Sequence, residues 1–185
     1  MTRVGTQRAA LILHSLACLT ACSSSPSAPD AQASGGCPAY VSTANLSTPI
    51  VSFGSDVLPI FERACAVGGG SCHGDASAVA NARPFLGYFG GDGGADVMQA
   101  VRVGLVGVKS GEDLMMNLVT AGDPIRSFLM HKMDGDQCTL IKECMVGASY
   151  RPNCGVFMPY QAPDLLDVST RDTVRRWIAQ GAAEN

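Results

Sequence analysis

An all-α fold is expected from this sequence: a small helical domain with long loops, stabilised by disulfides. Three observations carry that expectation. Apolar residues recur at helical spacing in several stretches, and no stretch of useful length alternates apolar with polar residues. Two of the helical stretches open on recognisable start signals, Asp123-Pro124 and Ser169-Thr170-Arg171-Asp172. The chain of 185 residues also holds 21 Gly and 10 Pro, which imply much loop, and 8 Cys, which imply cross-links or a thiol-bound group. With 46% hydrophobic and 16% charged residues it has the composition of one modest globular domain. A net charge of −3 and the lack of any basic run argue against nucleic acid as a partner.

Residues 1–21 read as an export signal. Arg3 and Arg8 precede an apolar stretch over 9–19 that is too short for a permanent membrane span, which takes about 20 residues. Leu19-Thr20-Ala21-Cys22 resembles the lipobox of bacterial lipoproteins, which implies cleavage before Cys22 and acylation of its thiol. The expected product is exported and lipid-anchored to a bacterial membrane, on the periplasmic or outer-membrane side. It carries 11 basic against 16 acidic residues, a net charge of −5. Residues 23–36, rich in Ser, Ala, Pro and Gly, read as a flexible tether. The segment 22–50 is assigned to this lipid-anchored tether and 51–185 to the domain.

Within the domain, the first helix is expected over 56–64. Ser55 or Asp56 would cap it, Pro59 would lie in its first turn, and Val57, Ile60, Phe61 and Ala64 would share a face. A second is expected over 95–103 with Val97, Ala100 and Val101 on one side. Asp123 as N-cap and Pro124 at N1 predict a third over 124–133, with Ile125, Phe128, Leu129 and Met133 on its apolar face and Gly135 ending it. Residues 136–157 form a long loop with three cysteines. The last helix opens on the Ser169/Asp172 capping box, carries the stripe Val174, Trp177 and Ile178, and ends at Gly181. Trp177 reads as a core anchor on that stripe.

The chemistry concentrates at Cys65-Ala66-Val67-Gly68-Gly69-Gly70-Ser71-Cys72-His73-Gly74. In the covalent haem motif C-x-x-C-H, two thiols add to two vinyl groups and the following histidine binds iron. Here six residues separate the cysteines, and three consecutive glycines let the extra residues bulge while both sulfurs face one porphyrin edge. A second iron ligand must come from elsewhere. Met158, followed by Pro159, is the leading candidate because thioether sulfur pairs with histidine on haem iron and raises its potential. Met130, Met133, Met145 and His131 are alternatives.

Taken together, Ile60-Phe61 through Cys72-His73-Gly74, Ala121-Gly122-Asp123-Pro124 with Ser127-Phe128-Leu129 and Lys132, Met158-Pro159, and Asp172 through Trp177-Ile178-Ala179-Gln180-Gly181-Ala182 resemble the cytochrome c-like domains of bacterial lipoproteins. The likeness covers about 52–183. It implies an all-α cytochrome c fold with a single haem c, Cys65 and Cys72 as thioether donors, His73 and Met158 as axial ligands, and one-electron exchange with a redox protein partner. It implies a carrier and not an enzyme. A pocket lined by Ile60, Phe61, Phe128, Leu129, Trp177 and Ile178 would exclude water. The sequence departs from the family in its C-x6-C-H spacing and in the added loop 136–157.

With haem on Cys65 and Cys72 and lipid on Cys22, the cysteines Cys37, Cys138, Cys144 and Cys154 remain for two disulfides in one of three connectivities. Pairing of Cys138 or Cys144 with Cys154 would clamp the long loop. The competing reading is a haem-free scaffold with three bridges, one of them Cys65 to Cys72. A copper or zinc site built from Cys, His and Met is a third. No nucleophile elbow or phosphate loop is present, and the single carboxylate of Gly91-Asp92-Gly93-Gly94 is too few for calcium.

Overall fold

The computed structural model describes residues 37, 39–67, 72–76, 84–91, 94–140, 144–146, 149–150, 154–160 and 162–185. The export signal, Cys22 and residues 23–36 lie outside the described residues. Four α-helices make up most of the regular structure: α1 (Leu58–Ala64), α2 (Ala95–Leu105), α3 (Phe128–Asp134) and α4 (Val168–Ala179). A 3-10 turn spans Gln137–Leu140, and one antiparallel ladder joins β1 (Met145–Val146) to β2 (Ser149–Tyr150) in register Met145 to Tyr150. The described part is therefore helical, with strand only in that two-residue ladder.

The first helix differs from its expectation at its start. A π-helical turn, Phe53–Val57, runs directly into α1. Ser52 caps it, not Ser55 or Asp56: the Ser52 Oγ accepts from the Ser55 amide at 3.2 Å, and Asp56 Oδ2 accepts from the Ser52 amide at 2.8 Å. This reciprocal arrangement satisfies two amide donors at a helix start. Asn185 closes over the same turn, its Oδ1 accepting from the Phe53 amide at 2.9 Å. Phe53 and Phe61 thereby reach the centre. Phe53 stacks on Trp177 with centroids 5.0 Å apart and meets Phe61 edge-on at 6.5 Å. The buried indole N–H of Trp177 donates to the Ala183 carbonyl at 2.9 Å.

Helix α2 runs two residues beyond its expected end, and its buried face is carried by Val101 and Leu105 with Val97 and Met98 partly covered. Ala100 is exposed, so the apolar stripe follows Met98 and not Ala100.

The Asp123-Pro124 signal makes a turn and not a helix. Asp123 Oδ1 accepts from the Arg126 amide at 3.1 Å, the Ser127 amide donates to the Pro124 carbonyl, and α3 starts only at Phe128. The reason is tertiary. The Phe128 and Leu129 amides donate to the Asn117 and Leu118 carbonyls, so the preceding chain supplies partners that an earlier helical turn would have provided. Ile125, expected on the apolar face, is exposed. Gly135 ends α3 in the left-handed conformation, φ 73°, as its position requires.

At α4 the N-cap is Asp167, not Ser169. Its carboxylate accepts from the Thr170 amide at 2.8 Å and from the Ser169 and Thr170 hydroxyls, which together hold it well below the usual carboxylate range. Asp172, freed from the expected capping box, turns inward and binds Arg175 and Ser42 Oγ. Asp134 of α3 receives Arg171 at 2.6 Å and Arg175, locking α3 to α4.

Residues 39–50 lie across these helices. Tyr40 faces both guanidinium groups, with Arg171 at 4.6 Å and Arg175 at 4.8 Å from its ring centroid, and its amide donates to Asp136 Oδ2 at 2.8 Å. Gln180 donates to the Leu46 and Pro49 carbonyls. Two disulfides complete the framework. Cys37–Cys138 fixes the N-terminal strap to the 3-10 turn, and Cys144–Cys154 closes the long loop, with Cα separations of 5.8 and 5.1 Å.

Candidate functional site

Helix α1 delivers Cys65 at its C-cap, where the Cys65 amide donates to the Phe61 carbonyl at 2.8 Å. The chain then doubles back. The His73 amide donates to the Cys65 carbonyl at 3.2 Å, and the Leu86 amide donates to the His73 carbonyl at 2.9 Å. His73 is thus held between the end of α1 and the segment 84–88. Its Nδ1 lies 2.8 Å from the Pro84 carbonyl. A carbonyl only accepts, so Nδ1 carries a proton and donates to Pro84, the kind of second contact that orients a metal-binding imidazole.

Cys65 and Cys72 are not bridged to each other in the structure. Burial pushes the Cys65 thiol up to about 12, and the neighbouring Cys72 adds to the shift. Cys65 therefore stays protonated at neutral pH.

The opposite contribution comes from α3 and the chain after the long loop. Phe128, Leu129, Lys132 and Met133 lie along one face of α3. The Met158 amide donates to the Lys132 carbonyl at 2.8 Å, fastening Met158 to the same helix. Cys65, His73, Pro84, Met133 and Met158 all border one cavity of about 190 Å³, completed by Leu86, Leu118, Phe128 and Leu129 and by the polar residues Ser110, Glu112 and Lys132. Three of the four expected haem contacts, an imidazole, a thioether and one thiol, meet at one largely apolar wall, which suits a haem; Cys72 is not among the residues that line it. The enclosed volume is below the ~300–1,000 Å³ of sites that engulf a drug-sized ligand. A porphyrin seated here would keep part of its macrocycle outside that volume.

The structure redistributes several expected residues. Phe128 and Leu129 line the cavity. Phe61, Trp177 and Ile178 instead form the central core, and Ile60 packs partly buried against it. His131 faces away from the cavity: Nδ1 meets Asp136 Oδ1 at 2.7 Å and Nε2 meets the Ile125 carbonyl at 3.0 Å. Both nitrogens donate, which is the imidazolium form. Burial lowers its pKa, but the hydrogen bond and charge of Asp136 outweigh that and the net shift is upward. Met130 is buried in the core away from the cavity lining, and Met133 is buried at the cavity wall. Among the described residues no group of three or more His, Cys, Asp or Glu is arranged to hold a metal ion; a copper or zinc site built from Cys, His and Met would draw on the same Cys65, His73 and methionines at this cavity.

Glu112 is the residue that sequence reasoning missed. Lys132 Nζ lies 2.7 Å from Glu112 Oε2 and 3.0 Å from the Cys154 carbonyl, with its side chain almost wholly buried. The signal that could have found it is a lysine on the apolar face of α3, which a buried counter-charge has to accompany. Comparison with known proteins adds no relative: no protein-family model, curated protein or solved structure matches this chain.

Proposed function

We propose that the protein is an exported, lipid-anchored cytochrome c-like electron carrier that binds one haem c and exchanges single electrons with a redox protein partner. The observation that carries this reading is the convergence of Cys65, His73 and Met158 on one cavity, with His73 Nδ1 donating to the Pro84 carbonyl. When bound, the haem iron supplies the one-electron chemistry. The chain's own residues do the rest. His73 presents Nε2 in a fixed orientation, Met158 offers a thioether that favours the reduced metal, and Leu86, Leu118, Phe128 and Leu129 keep water from the ligands. Cys65 and Cys72 supply S–H groups for addition across two vinyl groups, a step that needs no oxidant. Four of the six cysteines from Cys37 onward are closed as two disulfides. Cys22 would carry the lipid, and residues 23–36 would hold the domain off the membrane.

The test is production of the full chain in a bacterium able to install haem c, followed by absorption spectroscopy and intact mass. The expected product begins at acylated Cys22, carries two disulfides and a covalent porphyrin, and keeps its Soret band after acid-acetone extraction. A colourless product whose mass accounts for three disulfides would overturn the reading in favour of a cross-linked scaffold.

A further inference from the structure

The cavity wall holds a charged pair that ligand binding does not explain. Lys132 Nζ is bound by Glu112 Oε2 at 2.7 Å and by the Cys154 carbonyl at 3.0 Å, and it lies 5.6 Å from the centroid of the Phe128 ring. The lysine side chain is 7% exposed and the glutamate 30%, so the cation is inside and the anion nearer the mouth. Glu112 is itself placed by a turn in which Ser110 Oγ accepts from its amide at 3.0 Å.

Two residues at the end of the long loop, Cys154 and Gly155, meet this ammonium. The Cys144–Cys154 disulfide fixes the residue whose carbonyl accepts from it. The next residue, Gly155, has φ +72°, and a Cβ there would stand 3.1 Å from both Glu112 Oε2 and Lys132 Nζ. A side chain at 155 would push into the ion pair, so the loop closes over it without one. The carbonyl of Lys132 in turn holds the Met158 amide. The loop thus clamps a cation at the wall where Met158 is presented.

We infer that Lys132 and Glu112 are a charge-compensated pair that trims the reduction potential of the haem, and that Cys154 and Gly155 hold the lysine in place. This rests on the haem reading above. The iron centre gains one positive charge on oxidation, so a nearby cation disfavours the oxidised form and a nearby anion favours it, most strongly where water is excluded. With both present the effects oppose; removing one unmasks the other. Lys132 and Glu112 are positioning charges, since neither is a ligand to the iron.

The experiment is potentiometric titration of haem-loaded full chain at pH 6, with urea denaturation of each variant as a check on folding. Lys132→Met is expected to lower the midpoint potential, Glu112→Gln to raise it, and the double variant to return toward wild type. Lys132→Arg keeps the charge and should hold the wild-type value. Replacing Cys144 and Cys154 together by Ser should shift the potential in the direction of Lys132→Met by a smaller amount. If Lys132→Met does not fold, Glu112→Gln, at the more exposed partner, still decides the sign. Folded, haem-loaded variants whose potentials are unmoved, or move in one common direction, would overturn this inference alone. Wild-type protein without haem would overturn the function reading as well.

Discussion

The amide of Met158 donates to the carbonyl of Lys132 across 2.8 Å, so the residue proposed as distal ligand is carried by the helix whose face lines the cavity. Its position is therefore set by α3 and by the loop that closes over Lys132. His73 is set independently, through Cys65 and Pro84. Two pieces of framework distant in sequence thus border one space.

From this follows a test of the ligands in haem-loaded protein. His73→Ala is expected to abolish iron ligation from its side, and Met158→Ala to lower the reduction potential while leaving haem attached. Met133→Ala, at a buried position, should cost about 2–5 kcal/mol of stability without the spectral change. Unchanged absorption spectra in both the His73 and Met158 variants would refute the assignment.

The clamp over the ion pair can be probed through Gly155. Gly155→Ala places a Cβ 3.1 Å from both charges on a backbone at φ +72°, and is expected to destabilise the fold by about 1–3 kcal/mol in urea denaturation.

Removing the strap's covalent tie has a larger consequence. Cys37–Cys138 closes a separation of 101 residues, and replacing both cysteines by Ser is expected to cost about 2–5 kcal/mol. Thermal or urea unfolding measures it. The same variant should expose Tyr40 to solvent more often, since the disulfide and the Asp136 bond to its amide act on adjacent stretches of the strap.

His131 supplies a pH dependence. Its pKa is raised in the fold, so the stability it contributes is fully present below its ordinary value near 6.5 and is lost as pH rises through the raised folded value. NMR titration of the imidazole should show that upward displacement, and Asp136→Asn should reduce it.

Cys65 provides a second pH dependence of the same sense, in the haem-free protein. A thiol raised from 9.0 to about 12 favours the fold below about pH 9, and that contribution disappears as pH climbs toward 12. At pH 7.5 alkylation of Cys65 by iodoacetamide in folded protein should be far slower than in unfolded protein, read by mass spectrometry. Equal rates would show that the thiol is not buried.

Several features are legible in the amino-acid order. The helical class follows from periodicity at 57–64, 97–101 and 174–178, because burying one stripe of a helix needs only local spacing. The Gly135 and Gly181 stops follow from backbone freedom at single positions. Cys65, His73 and Met158 stand out by residue chemistry, and the fold brings them to one cavity. What stays hidden depends on partners distant in the chain. The Asp123-Pro124 signal reads identically for a helix and for a turn, and only the carbonyls of Asn117 and Leu118 select the turn. Asp172 looks like a capping residue until Arg175 and Ser42 claim it.

Local spacing and side-chain chemistry suffice to set the materials: helices with one apolar face, six cysteines in the segment from Cys37 onward, a histidine beside one of them and a methionine late in the chain. Both act over a few residues, so no knowledge of packing is needed. Which cysteines pair, that Trp177 and Phe61 serve the core and not the cavity, and that Lys132 is buried against Glu112 are settled only when the chain closes on itself. Those outcomes turn mostly on contacts between residues far apart in the chain, where packing and the cost of burying an uncompensated charge select one arrangement among many that the same local signals allow.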